Sequence, residues 1–161
     1  MSAQQIGKLR GSFQIIAFIS LTEQIALGGQ PTAEELAHLA AAGCQTVINL
    51  GLHDTEYALE DEAAVVSELR MVYHHIPVEF ERPELSQIYR FFDVMDASAA
   101  TATFVHCAAN YRVSCFASLY MRSRHGWTQS QASRLIESVW EPNRVWATFL
   151  DEAAQELRLV A

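Results

Sequence analysis

Two hydrophobic periods alternate along this chain in a fixed order, and that order restricts the possible folds more than any other feature. The runs IAFIS and IALGG, separated by LTEQ, predict two short extended pieces joined by a turn, and GGQP breaks the second. PTAEELAHLAAAG then takes up helical spacing through Leu36, Leu39 and Ala40, with Thr32 and Glu35 placed as a capping box and Gly43 as the stop. CQTVINL predicts a buried strand, LEDEAAVVSELR a helix with its acids in the first turn, and MVYHHIPV a strand ending near Pro77. LSQIYRFFDVMDASA spaces Leu85, Ile88, Phe91, Phe92 and Met95 at helical intervals, and TATFVH closes the series as another short β run. Alternation of this kind predicts an α/β fold, a mainly parallel central sheet flanked by helices. After His106 the alternation stops. Residues 113–124, 128–139 and 143–158 all carry helical patterns, interrupted by GWT and EPN, so the C-terminal third is expected to be all helical.

With 161 residues, half of them hydrophobic, the chain is long enough to close one core, and a single domain over residues 1–161 is expected. Residues 1–17 are an N-terminal extension without an assigned element, and 12–17 fit either period. The formal charge is −8, and eleven scattered basic residues supply no clustered patch, which argues against nucleic acid or a membrane surface as partner. IIAFISL is interrupted by Thr22 and Glu23 before it could span a bilayer. The opening MSAQQIGKLRGS lacks the apolar run of a signal peptide, and Cys44, Cys107 and Cys115 are odd in number without framework spacing, which predicts a reduced cytoplasm. Nothing in the pattern specifies an oligomeric state.

The chemistry concentrates in HCAANYRVS, residues 106–114. Cys107 stands at the end of an expected buried parallel strand, and its loop turns onto a helix N-terminus, the usual ligand crevice of an α/β sheet. Free backbone N–H groups there hold an anion and stabilise a thiolate. Such surroundings generally lower a thiol pKa from about 8.5 to roughly 3.5–7.5. Arg112 offers a planar fork that grips two phosphate oxygens, which a lysine does not. Ala108, Ala109, Asn110 and Tyr111 would supply the anion cradle, His106 would orient the loop through backbone hydrogen bonds, and the Ser114 hydroxyl could donate to the thiolate when it leaves. An isolated cysteine is more often a small buried hydrophobe. Cys44 at a strand entrance and Cys115 one turn into a helix keep that assignment, while the strand, His-Cys, Arg and helix combination sets Cys107 apart.

The run from GGQPTAEELAHLAAAGCQTVINL through YHHIPVEF to FVHCAANYRVS resembles the bacterial members of the protein tyrosine and dual-specificity phosphatase superfamily, over roughly residues 18–150. The usual loop there is Cys, five residues and Arg, followed directly by Ser or Thr. Here four residues intervene and Ser114 comes one position late, a shortened Cys-x4-Arg form found in a small bacterial branch. The resemblance implies a phosphate monoester substrate, carried by a phosphorylated protein or a small molecule, and a phosphocysteine intermediate without cofactor or metal. It also implies a general acid from an upstream loop, a contribution worth about 10²–10⁴ in rate. No aspartate lies in the matching stretch VEFERPE, but Glu79, Glu81 and Glu84 do. Glu81 is preferred, because Pro83 stiffens its loop and strand alternation sends Glu79 and Glu81 the same way, with Glu84 starting the helix. Asp54, after VINLGLH, is the next candidate.

Two other readings fit the same loop: a rhodanese-type sulfurtransferase with a Cys107 persulfide, and a non-catalytic phosphate-binding module. A rhodanese returns to the sheet after its loop, whereas residues 113–158 predict no strand. His74 and His75 read as strand residues. His38, His53 and His125 lack metal-ligand spacing, and Trp127, Trp140 and Trp146 read as core packing.

Overall fold

The computed structural model describes residues 14–159, so the N-terminal extension through residue 13 lies outside the described residues. Five strands form one sheet: β1 (Ile19–Ser20), β2 (Ile25–Gly28), β3 (Cys44–Asn49), β4 (Val72–His75) and β5 (Ala102–His106). Between and after them come α1 (Ala33–Ala41), α2 (Glu62–Glu68), α3 (Leu85–Ala97), α4 (Tyr111–Arg124), α5 (Gln129–Glu137) and α6 (Arg144–Glu156). The spatial order is β1-β2-β5-β3-β4, with β1 antiparallel to β2 and every other pair parallel. The α/β architecture and the all-helical C-terminal third agree with the sequence pattern.

Local chemistry explains most boundaries. Thr32 accepts from the Glu35 N–H while Glu35 reaches back to Thr32, starting α1 with the expected reciprocal cap. Gly43 stops it at φ 104°, a conformation that favours glycine. Thr128 and Gln131 repeat the capping box on α5.

Side chains of alternating strand positions feed two apolar layers. Ala26, Val47 and Phe104 face α1 and α2 through Leu36, Leu39 and Val66. Leu27, Ile48 and Val105 face the other layer, where Ile88, Phe91, Phe92 and Met95 of α3 meet Phe116, Leu119 and Tyr120 of α4 and Trp146 and Phe149 of α6. Helix α4 is buried continuously from Arg112 to Met121, so it is the central helix of that layer.

The register positions the site. Gly28 pairs with His106, His106 with Asn49 and Asn49 with His75, so four strand ends form one row. The segments after β2, β3, β4 and β5 therefore converge at the carboxyl edge of the sheet, where open α/β sheets place ligands.

Candidate active site

Cys107 follows β5 directly and is fully buried. The chain then turns through Ala108 and Ala109 to Asn110, which takes a left-handed conformation at φ 69°, and enters α4. Asn is the residue that adopts this region most readily after glycine. Although Asn110 holds the N-cap position, its side chain does not cap the helix; its Nδ2 donates to the Ala17 carbonyl at 2.9 Å instead. The first-turn N–H groups of α4 thus lack a side-chain acceptor from their own cap, and such a terminus favours an anion.

Arg112 enters with α4 and is 5 % exposed. Its Nη1 donates to the Val78 carbonyl at 2.9 Å and its Nη2 to the Tyr57 hydroxyl at 3.3 Å, while Nε is buried with no acceptor among the described residues. Segments after β3 and β4 thus hold the guanidinium from two sides and leave part of its fork unsatisfied.

His106 is buried between two acceptors. Nδ1 faces the Cys107 carbonyl at 3.2 Å and Nε2 faces the Glu62 carboxylate at 2.7 Å. Glu62 is itself buried and also accepts from Gln30 Nε2 at 2.7 Å. Burial alone pushes its carboxyl upward. The hydrogen bond and charge of His106, with hydrogen bonds from Gln30 and Tyr73, outweigh that and hold it below its ordinary value. Asn49 Nδ2 and His53 Nε2 both meet the Tyr73 hydroxyl, and His53 stacks on His75 with centroids 3.7 Å apart. A polar chain therefore runs from the Cys107 carbonyl to the histidines at the sheet edge.

The three glutamates after β4 have different surroundings. Glu79 pairs with Arg82 at 2.9 Å, and Glu84 holds the N-cap position of α3, where Gln87 reaches back to its N–H. Glu81 is exposed and carries no hydrogen bond or ion pair among the described residues. Strand alternation does not orient this stretch: β4 ends at His75, and residues 76–84 form an irregular loop with a turn at Phe80 and Glu81. Pro77 and Pro83 lack the N–H that a sheet ladder needs. The loop is anchored instead by Phe80, whose carbonyl accepts from Trp146 Nε1 at 2.7 Å and whose ring contacts Tyr111, Trp140 and Trp146. Tyr111 is 40 % exposed at the rim and stacks on Trp140 at 4.6 Å, nearly parallel. Trp146 is fully buried as core, while Trp140 joins the loop after α5 to the start of α4 through Tyr111. Asp54 is exposed. The Ser114 hydroxyl donates to the Tyr111 carbonyl at 2.9 Å.

Residues 17–142 match the family described as "DSP-PTPase phosphatase fused to NAD+ Kinase". The chain belongs to this family. A putative phosphatase (DUF442) from Shewanella putrefaciens CN-32 is 29 % identical, superposes with a TM-score of 0.82, and the alignment covers 94 % of this chain and 98 % of that one. TpbA from P. aeruginosa, solved as a Cys-to-Ser variant in complex with pTyr, shares the fold at 17 % identity, TM-score 0.73 and coverage of 89 % and 88 %. PTPMT1, solved in complex with PI(5)P, does so at 14 % identity, TM-score 0.73 and coverage of 88 % and 96 %. No curated protein matches the chain.

Among the described residues of this DSP-PTPase chain, no helix is long and apolar enough to cross a membrane, and no group of three or more His, Cys, Asp or Glu could hold a metal ion. Cys44 and Cys115 are buried, and burial pushes both thiols up to about 12. Sequence reasoning missed Glu62, Gln30 and Tyr57. Glu62 belongs to the acidic start of α2 and reads as a charge complementing the helix dipole; only the fold turns it inward. Tyr57 lies in a loop without periodicity, where no signal singles it out.

Proposed function

We propose that the protein is a cysteine-dependent phosphatase acting on a phosphate monoester. The observation that carries this reading is the Arg112 guanidinium, fixed by Val78 and Tyr57 while its buried Nε–H has no acceptor among the described residues. A buried charged donor left unpaired is unfavourable, and a tetrahedral anion over the cradle of Cys107 to Arg112 completes it.

In the first step Cys107 Sγ attacks phosphorus. The S–P bond forms as the P–O bond to the leaving group breaks, and Glu81 gives its proton to the departing oxygen. In the second, water attacks the phosphocysteine, Glu81 takes a proton from it, and orthophosphate leaves with the Cys107 thiolate restored. The segment from Ala108 to Tyr111 cradles the equatorial oxygens, and His106 fixes the Cys107 carbonyl. Ser114 assists the leaving thiolate once its hydroxyl turns from the Tyr111 carbonyl. The partners in complexes of the structural neighbours, phosphotyrosine for TpbA and PI(5)P for PTPMT1, support a phosphorylated substrate in general terms.

The test is a side-by-side assay of aryl phosphate hydrolysis and thiosulfate-to-cyanide sulfur transfer. Wild type should release phosphate, Cys107→Ser should not, and Glu81→Gln should slow an alkyl phosphate more than an activated aryl phosphate. Phosphate release by Cys107→Ser, or sulfur transfer without hydrolysis, refutes the proposal.

A further inference from the structure

Tyr57 is the one aromatic hydroxyl in contact with the Arg112 guanidinium among the described residues, and its hydrogen bonds are arranged unusually. Its oxygen accepts the Leu52 N–H at 2.8 Å and Arg112 Nη2 at 3.3 Å. Among the described residues, no acceptor takes the hydrogen of Tyr57 itself. The loop that carries it is built to hold this position. Gly51 donates to Asn49 Oδ1 at 2.7 Å, His75 Nε2 meets the Gly51 carbonyl at 2.7 Å, and Thr55 Oγ1 donates to the Leu52 carbonyl at 3.1 Å. A Cβ on Gly51 would lie 3.1 Å from the Tyr57 ring and 3.2 Å from its hydroxyl, so glycine is what permits the close approach.

Nε and Nη2 form one edge of the arginine fork, the edge that grips two oxygens of a phosphate. Nε is unpartnered and Nη2 is shared only with Tyr57. An oxyanion docked on that edge lies beside a hydroxyl whose lone pairs already serve two donors and whose hydrogen is available.

We propose that the Tyr57 hydroxyl is a catalytic residue that donates a hydrogen bond to the substrate phosphate, replacing a donor that the four-residue gap between Cys107 and Arg112 omits. The inference rests on the phosphatase reading above. One hydrogen bond to a charged oxygen corresponds to about ten- to hundredfold in affinity. Removal of one preorganised donor lowers turnover by about 10²–10³-fold in other enzymes.

The experiment uses tungstate, a tetrahedral oxyanion that is not hydrolysed, with the full chain. Calorimetry should show Tyr57→Phe binding tungstate at least about tenfold more weakly than wild type, with aryl phosphate turnover reduced and the protein still folded, its melting temperature lowered by the loss of the Leu52 contact. A hydroxyl that donates to the anion also changes its own absorption. Tungstate should therefore produce a red-shifted tyrosine difference band in wild type that persists in Tyr111→Phe and disappears in Tyr57→Phe. Wild type that neither binds tungstate nor hydrolyses the ester overturns the phosphatase reading, and this inference with it. Wild type that does both, with Tyr57→Phe binding equally well, overturns this inference alone. Weaker binding by Tyr57→Phe without any difference band in wild type shows that Tyr57 only braces Arg112, and the donor assignment falls. Should Tyr57→Phe fail to fold, the wild-type and Tyr111→Phe spectra decide by themselves.

Discussion

Removing the charge of Glu62 should destabilise the protein at neutral pH by an amount that disappears in acid. Glu62 is 2 % exposed and its carboxylate meets His106 at 2.7 Å and Gln30 at 2.7 Å. Truncation to alanine leaves the His106 ring and the Gln30 amide facing a buried cavity without the carboxylate that holds them, and breaking a buried pair in this way costs about 3–5 kcal/mol. Glu62→Gln keeps the shape but replaces one of the two accepting oxygens with an NH2 donor, so the hydrogen bond to either His106 or Gln30 is lost, at a cost of about 1–3 kcal/mol. At roughly 2–4 °C per kcal/mol for a chain of this size, alanine should lower the melting temperature by roughly 6–20 °C.

The pH dependence follows from the direction of the Glu62 shift. Its folded-state pKa lies below the ordinary 4.5, so the carboxylate's contribution is fully present above 4.5 and is lost as pH falls through the folded value. Urea unfolding at a series of pH values should find a constant gap between wild type and Glu62→Gln from neutrality down to about 4.5, narrowing below it. A gap that widens in acid would refute the sign. Variants within about 0.5 kcal/mol of wild type at neutral pH would refute the pair itself, because ordinary surface substitutions fall in that range.

Alkylation should separate the three buried thiols by role: Cys44 and Cys115, pushed up to about 12 by burial, should react only after unfolding in urea, while Cys107, as the nucleophile proposed above, should be reached by iodoacetamide in the native state despite its burial. Mass spectrometry of the labelled peptides decides, and equal labelling of all three would remove the distinction. Gly29→Ala should displace the loop of residues 107–112, because the new Cβ would lie 2.4 Å from the Ala108 carbonyl oxygen. A stability loss of about 1–3 kcal/mol and weaker tungstate binding are expected, and unchanged binding would show that the loop gives way without consequence.

Element order was legible because each strand is a short apolar run and the helices carry explicit signals, Thr32 with Glu35 and a terminating Gly43. Strand placement was not. Nothing in TATFVH marks it for the position between β2 and β3, although that placement brings His106 into line with Gly28 and Asn49. The cysteine loop was legible because His, Cys and Arg are close in sequence. Its supports were not, since Glu62 approaches from the start of α2 and Tyr57 and Val78 from other loops, and only the register brings them together. Alternation was extended too far in the stretch after β4, where prolines and a turn end the period before the glutamates are reached.

Backbone strain gives an independent view of the same edge. Among the described residues, five non-glycines have positive φ: Ala17, Asp61, Arg70, Asn110 and Arg158. Arg70 and Arg158 directly follow the C-cap residues Leu69 and Leu157, where a left-handed residue commonly ends a helix. The other three have no such explanation; the conformation is unfavourable by about 1–2 kcal/mol for Ala17 and by less for Asp61 and Asn110, whose short polar side chains tolerate it. All three bear on the cysteine loop. Asn110 turns the loop onto α4, Ala17 presents the carbonyl that holds Asn110, and Asp61 precedes the glutamate that faces His106. Strain persists only where surrounding contacts over-determine it, and those contacts are present: the Gly29 N–H bonds the Ile16 carbonyl at 2.7 Å, the Gln30 N–H bonds the Ala108 carbonyl at 3.0 Å, and Ile15 is buried in the α1 and α2 layer. A loop with four residues between Cys107 and Arg112 has little freedom to shape itself around an anion. Here its shape is imposed from outside, by the N-terminal segment on one flank and the His106–Glu62 pair on the other, so substitutions in those supports should alter anion binding without touching the loop.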